Sequence, residues 1–113
     1  MGEAERTRAE RTAEMTRRRT PETALKKVVK DVLDVCGIFH YHLLQGVGSY
    51  RGLPDRQAFW KGQTWHLELK APGKKLSPTQ VAFKSECETA GVPYLLVRSV
   101  EDLVEGMGLP IRL

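Results

Sequence analysis

An α/β fold, with a mixed sheet flanked by helices in the order α-β-β-β-α-β-α, is the class this sequence predicts. Three observations carry it. Leu25, Val28, Val29, Val32, Leu33 and Cys36 recur at helical spacing, which makes one apolar stripe. Two strand-like runs, 57–60 and 64–70, flank the short Lys61-Gly62-Gln63 segment, as a hairpin with a tight turn requires. Ser77-Pro78-Thr79-Gln80 reads as a capping box with proline at the first helical position, which opens a second helix.

The elements follow in order. Residues Met1 to Arg19 hold six Arg and four Glu and almost nothing apolar. A basic, disordered tail is expected there, helical only on binding. Arg17, Arg18 and Arg19 are placed to touch phosphates or simply to be solvated. A single folded domain is expected over 20–113. Thr20 serves as N-cap and Pro21 starts the first helix, which Gly37 ends. Ile38 to Leu44 reads as a strand, with Phe39, Tyr41 and Leu43 alternating with His40 and His42,. A glycine-rich connection, 45–52, leads to a short strand from Gln57 to Trp60. The next strand runs from Thr64 to Lys70, followed by a basic loop around Lys74 and Lys75. The second helix runs to about Ala90, where Gly91 closes it. Tyr94 to Arg98 is a continuous apolar run, which predicts a strand buried on both faces. Ser99 caps a short last helix with acids in its first turn. Roughly ninety residues suffice for one such sheet and its helices.

The net charge of +4 and pI near 9.3 point to a polyanionic partner. The distribution is more specific. Arg51, Arg56, Lys61, Lys70, Lys74, Lys75 and Lys84 crowd residues 51–84 against only Asp55 and Glu68, whereas Glu86, Glu88, Glu101, Asp102 and Glu105 make the C-terminal part acidic. Cys36 and Cys87 lie far apart in expected helices and form no disulfide framework or metal knuckle. They read as small apolar side chains in a reducing cytosol. No apolar run reaches membrane-spanning length and no signal peptide is expected. The expected location is the cytoplasm of a bacterial or phage-infected cell.

Chemistry concentrates in Pro54-Asp55 followed by Glu68-Leu69-Lys70 thirteen residues later. Strand alternation puts Glu68 and Lys70 on one face, expected to be open, and sends Trp65, Leu67 and Leu69 to the core side. Asp55 arrives from the neighbouring strand. Two carboxylates, helped by the Leu69 carbonyl, suit Mg2+ or Mn2+, which keeps several waters of its own. Such an ion lowers the pKa of a bound water and offsets charge building on a phosphate. Lys70 would orient the nucleophile or take its proton, and the sequence leaves both open. Glu22 is expected on the buried side of the first helix, close to the metal, although a glutamate there also complements the helix dipole. Gln80 is the third-position capping partner and shares a face with Phe83 and Cys87, so it is placed to position water or phosphate. Arg51, Arg56, Lys74 and Lys75 are the expected DNA contacts, which makes binding salt-sensitive.

Other constellations are weaker. His40 and His42 share a strand face without a third ligand and read as satisfied strand histidines rather than a zinc pair. His66 flanks the Glu68 face. His66-Leu67-Glu68 matches the H-x-E of zinc deaminases, but their P-C-x-x-C is absent. No P-loop, nucleophile elbow or zincin helix is present.

The runs Gly52-Leu53-Pro54-Asp55, Glu68-Leu69-Lys70 and Gly73 through Gln80 together resemble the VRR-NUC domain, the virus-type replication-repair nucleases of the PD-(D/E)XK superfamily. The likeness spans about residues 20 to 105. It implies a restriction-endonuclease-like core and a catalytic set of Asp55, Glu68 and Lys70. Gln80 would face that set, and the family's first-helix glutamate falls on Glu22. Arg56 stands where an apolar residue is frequent, which suggests a phosphate contact. The accessory DNA-binding domains of large repair nucleases are not expected here. Similar stand-alone nucleases look like Holliday-junction resolvases, which pair as two-fold dimers. The expected function is therefore a divalent-metal-dependent DNA endonuclease acting on branched or junction DNA as a homodimer. Two alternatives stand beside it. One is a non-catalytic nucleic-acid-binding module on the same fold. The other is a small interaction protein whose tail recruits a partner such as phage packaging or replication machinery.

Overall fold

The computed structural model describes residues 21–113. The expected tail and the Thr20 cap lie outside the described residues. The elements are α1 (Pro21–Val35), β1 (Phe39–His42), β2 (Arg56–Trp60), β3 (Gln63–Leu69), α2 (Pro78–Ala90), β4 (Tyr94–Val97) and α3 (Val100–Met107). This is the expected order. The strands form one four-stranded sheet, β1-β2-β3-β4, antiparallel across the first two pairs and parallel between β3 and β4. Helix α2 makes the crossover that a parallel pair needs.

Local chemistry sets the boundaries. The β2–β3 turn pairs Trp60 with Gln63, and Lys61 and Gly62 both take positive φ, 50° and 76°. Positive φ at both central residues is the type I′ pattern, whose twist matches a hairpin. Helix α2 opens on the full capping box: Ser77 Oγ accepts from the Gln80 N–H and the Gln80 Oε1 accepts from the Ser77 N–H. Helix α1 ends with the Ile38 N–H donating to the Leu33 carbonyl, the long closing bond of a Schellman turn.

Helices α1 and α3 cover one face of the sheet. Leu25, Val29 and Leu33 of α1 meet Ala58, Leu67, Leu69 and Val97 of the sheet and Leu103, Val104 and Met107 of α3. Trp60 Nε1 donates to the Met107 carbonyl at 3.1 Å and ties β2 to the end of α3. Helix α2 covers the other face over β3 and β4 only. Several local expectations change in this context. Strand β1 is shorter than expected, although the Leu43 N–H still donates to the Asp55 carbonyl one step past the last strand pair. Cys36 falls just after α1 and is half-buried, while Cys87 is buried as expected. In β4 only Val97 is fully buried, since β4 is an edge strand paired with β3 alone. Strand β1 turns its polar side inward. His40 is nearly buried, while Phe39 and Tyr41 are exposed.

Candidate active site

The site forms where β2 begins and β3 ends. Asp55 immediately precedes β2, and the Arg56–Leu67 register sets it opposite Glu68. The Asp55 carboxylate is fixed by its own strand pair: Oδ2 accepts from the Leu69 N–H at 2.7 Å. Its other oxygen, Oδ1, lies 3.8 Å from Lys26 Nζ. Lys70 follows Glu68 by two residues on the same side, and its ammonium lies 3.8 Å from Glu68 Oε1. Asp55, Glu68 and Lys70 are thus brought together.

Glu68 does not lie on an open face. It is only 2% exposed, the one fully buried charged side chain among the described residues. The cause is α2. Gln80 sits over it and donates from Nε2 to Glu68 Oε1 at 3.1 Å. The other end of the same carboxamide caps the helix. Gln80 therefore fills both roles at once. Burial first, and then the charge and close approach of the Asp55 carboxylate, push Glu68 up to about 8, against the opposing pull of Lys70. Two carboxylates this close cannot both stay ionised without a cation or a shared proton. Glu68 Oε2 is buried with no hydrogen-bond partner. A buried orphan oxygen beside a second carboxylate is the donor set that a hard divalent ion would satisfy. No group of three or more His, Cys, Asp or Glu converges among the described residues.

Glu22 is exposed rather than on the buried side, one turn before Leu25, where the buried stripe of α1 begins. Its charge still contributes to the raised pKa of Glu68. Lys26, one helical turn further on, is a site residue the sequence reading missed. Its only sequence signal was the four-residue spacing from Glu22. Lys26, His42, Arg56, Asp55 and Leu69 line a cleft of about 350 Å3 on the α1 side of the site.

The expected DNA contacts divide. Arg51, Lys74 and Lys75 are exposed, Arg51 in the glycine-rich loop and the lysines in the loop before α2. Arg56 is half-buried: its Nη1 donates to His40 Nδ1 at 2.8 Å, and His40 Nε2 meets Asp34 Oδ1 at 2.6 Å. Arg56 is thus braced inside the cleft wall rather than free on the surface. His40 is a satisfied strand histidine, as expected. His66 bonds to Gln57 Nε2 and the Pro93 carbonyl, and its ring lies 5.8 Å from Phe83 of α2.

One glycine sets the position of α2. Gly52 has φ +81°, and a Cβ there would overlap the Thr79 carbonyl and come within 3.0 Å of the Gln80 nitrogen. The loop backbone therefore packs directly on the first turn that carries Gln80. Gly52→Ala combines a disfavoured φ with a backbone clash and should cost about 2–3 kcal/mol. A thermal melt together with a cleavage assay checks this. An unchanged melting temperature and rate would show that the contact is unimportant.

Asp55 beside the buried Glu68, a lysine two residues on and a glutamine from the crossover helix thus meet at one end of this α/β sheet. Comparison of the sequence with family models finds no match, and neither does comparison with curated proteins. The fold is decisive where sequence comparison is silent. It matches a solved VRR_NUC domain with a TM-score of 0.67 and 25% identity, covering 77% of this chain and 97% of that one. The chain has the fold of a VRR-NUC domain, the nuclease-domain family its motifs resemble. Among the described residues no helix is long and apolar enough to cross a membrane.

Proposed function

We propose that this domain is a divalent-metal-dependent endodeoxyribonuclease selective for branched DNA such as Holliday junctions, and that it works as a two-fold homodimer. The observation that carries the reading is the approach of the Asp55 and Glu68 carboxyls around an unpartnered Glu68 oxygen, with Lys70 3.8 Å from the same carboxylate. Asp55 Oδ1, Glu68 Oε2 and the Leu69 carbonyl would hold Mg2+ or Mn2+. When bound, such an ion supplies a more acidic water and offsets charge on the phosphate.

The chain's own groups do the rest. The Leu69 N–H fixes Asp55, so Oδ1 needs no reorganisation to bind,. Gln80 holds Glu68 Oε1 and leaves Oε2 free. Water attacks phosphorus in line, a P–O bond forms, and the bond to the leaving sugar oxygen breaks. Lys70 holds the attacking water and faces the developing negative charge. Glu22 adds negative potential that favours the cation. Arg51, Lys74, Lys75 and the cleft pair Lys26 and Arg56 grip neighbouring phosphates. Residues 1–19 add a basic tail to the 20–113 nuclease domain.

A labelled four-way junction, beside linear duplex and flap controls, is the test. Mn2+ or Mg2+ should produce paired, symmetric nicks at the junction, and EDTA should abolish them. Single unpaired nicks would remove the dimer from the reading. Tight binding with no cutting in either metal would replace the nuclease with a non-catalytic binding module.

A further inference from the structure

The sheet face that carries Glu68 continues, uncovered by α2, onto β2 and β1. There it presents three aromatic rings. Phe39 and Phe59 are cross-strand partners and stack with centroids 5.2 Å apart and planes 18° apart. Tyr41 leans on both, 5.6 Å from Phe39 and 6.0 Å from Phe59. Phe39 is 67% exposed and Tyr41 40%. The rings are held in place from below: the Tyr41 hydroxyl donates to Gln57 Oε1 at 2.6 Å, and Gln57 Nε2 meets His66 Nε2 at 3.1 Å. His66 is the residue two before Glu68 on the same face.

The sheet thus carries three parallel rows of side chains: Asp55 with Glu68, then Tyr41 with Gln57 and His66, then Phe39 with Phe59 and Thr64. Rows two residues apart lie about 7 Å from one another. Bases paired in a duplex are already stacked on neighbours ~3.4 Å away and offer no free face to these rings. Bases of an unpaired strand, pulled apart along the chain, do.

We infer that Phe39, Tyr41 and Phe59 form a stacking platform for unpaired bases of the substrate strand that flank the phosphate held at Asp55 and Glu68. The inference rests on the nuclease reading for its placement of that phosphate. Its chemistry is general, because every base offers a π-face to an aromatic ring and stacking is tolerant of sequence. The platform would favour branched DNA whose bases open beside the cut. Lys70 and Lys74, at the active-site end of the rows, supply backbone contacts. A second copy of the chain fits the patch less well. Three partly exposed rings, each burying at most ~150–250 Å2, fall short of the ~800 Å2 per partner of a stable protein interface.

Binding in EDTA separates this inference from cleavage. Full-length protein is titrated into a fluorescent duplex bearing a single-stranded tail with 2-aminopurine, and into the blunt duplex. Phe39→Ala should weaken binding of the tailed DNA about tenfold and reduce the 2-aminopurine quench, leaving the blunt duplex unchanged. Phe39→Trp should restore both. Phe39 is exposed, so the variant is expected to fold. Equal tailed-DNA affinity in Phe39→Ala and the parent would overturn the platform. So would a dimeric mass by light scattering that falls to a monomer in Phe39→Ala, because a second chain would then cover the rings. If the stacking effect holds and no metal supports cutting, the platform stands and the nuclease reading alone falls.

Discussion

Asp55→Asn and Lys70→Ala should each lower the rate of junction cleavage by on the order of 10^3-fold or more, the scale of removing a group that stabilises developing charge, while leaving the fold intact. The choice of asparagine matters. Asp55 accepts from the Leu69 N–H at 2.7 Å, so alanine would strand a donor within the sheet at about 1–3 kcal/mol. Asparagine keeps an oxygen for that bond and removes only the negative charge. Lys70 is half-buried and its ion pair with Glu68 is long, at 3.8 Å, so its loss affects stability little. Circular dichroism and melting temperature establish folding, and single-turnover cleavage with Mn2+ measures the chemistry. Parent-like rates in both variants would remove the site assignment altogether.

Glu68→Gln should stabilise the metal-free protein at alkaline pH and inactivate it at every pH. The folded-state pKa of Glu68 is raised to about 8 from an ordinary 4.5. The folded protein therefore holds this proton more tightly than the unfolded chain. The resulting stability is fully present below pH ~4.5 and is lost as pH rises through 8. At ~1.4 kcal/mol per pKa unit the loss is a few kcal/mol, or roughly 10 °C or more in melting temperature for a domain this size. A carboxamide has no such proton to lose, so the variant should show a flat melting temperature between pH 5 and 9 where the parent's falls. Mn2+ should recover the parent at pH 9, because binding needs the carboxylate and repays its burial. It should do nothing for the variant. The same decline with pH in both proteins would mean that another group titrates.

Much of this architecture is readable along the chain because its signals are local. The Ser77–Gln80 capping box, the Lys61-Gly62 turn and the apolar stripe from Leu25 to Leu33 each lie within one element, and each folds as its own chemistry requires. Asp55, Glu68 and Lys70 meet because hairpin register is arithmetic: a two-residue turn and period two place them without reference to anything distant. The misread features all depend on what a second element contributes. Strand alternation assigns Glu68 to a face but cannot say that Gln80 of α2, twelve residues further on, will close it. The inward turn of His40 looks wrong by hydropathy and becomes favourable only once Asp34 of α1 and Arg56 of β2 satisfy both ring nitrogens. Glu22 lies one turn too early in α1 to reach the core. Lys26 looks like any other lysine on that helix until Asp55 comes opposite it.

The Gln80 carboxamide has a consequence for how this sequence can drift. By the rules of helix capping, glutamate at position 80 is as good a third residue as glutamine, so a stability-driven walk through sequence space would accept the exchange. Here the amide's NH2 end is committed to Glu68. A carboxylate in its place would add a third negative charge to a pocket that already struggles to hold two. The neutral path for the helix is therefore a closed path for the chemistry. A descendant carrying glutamate at this position would keep its helix cap and lose the donor that holds Glu68 Oε1. If the site works as proposed, the identity of this one side chain would separate copies constrained by chemistry from copies constrained only to fold.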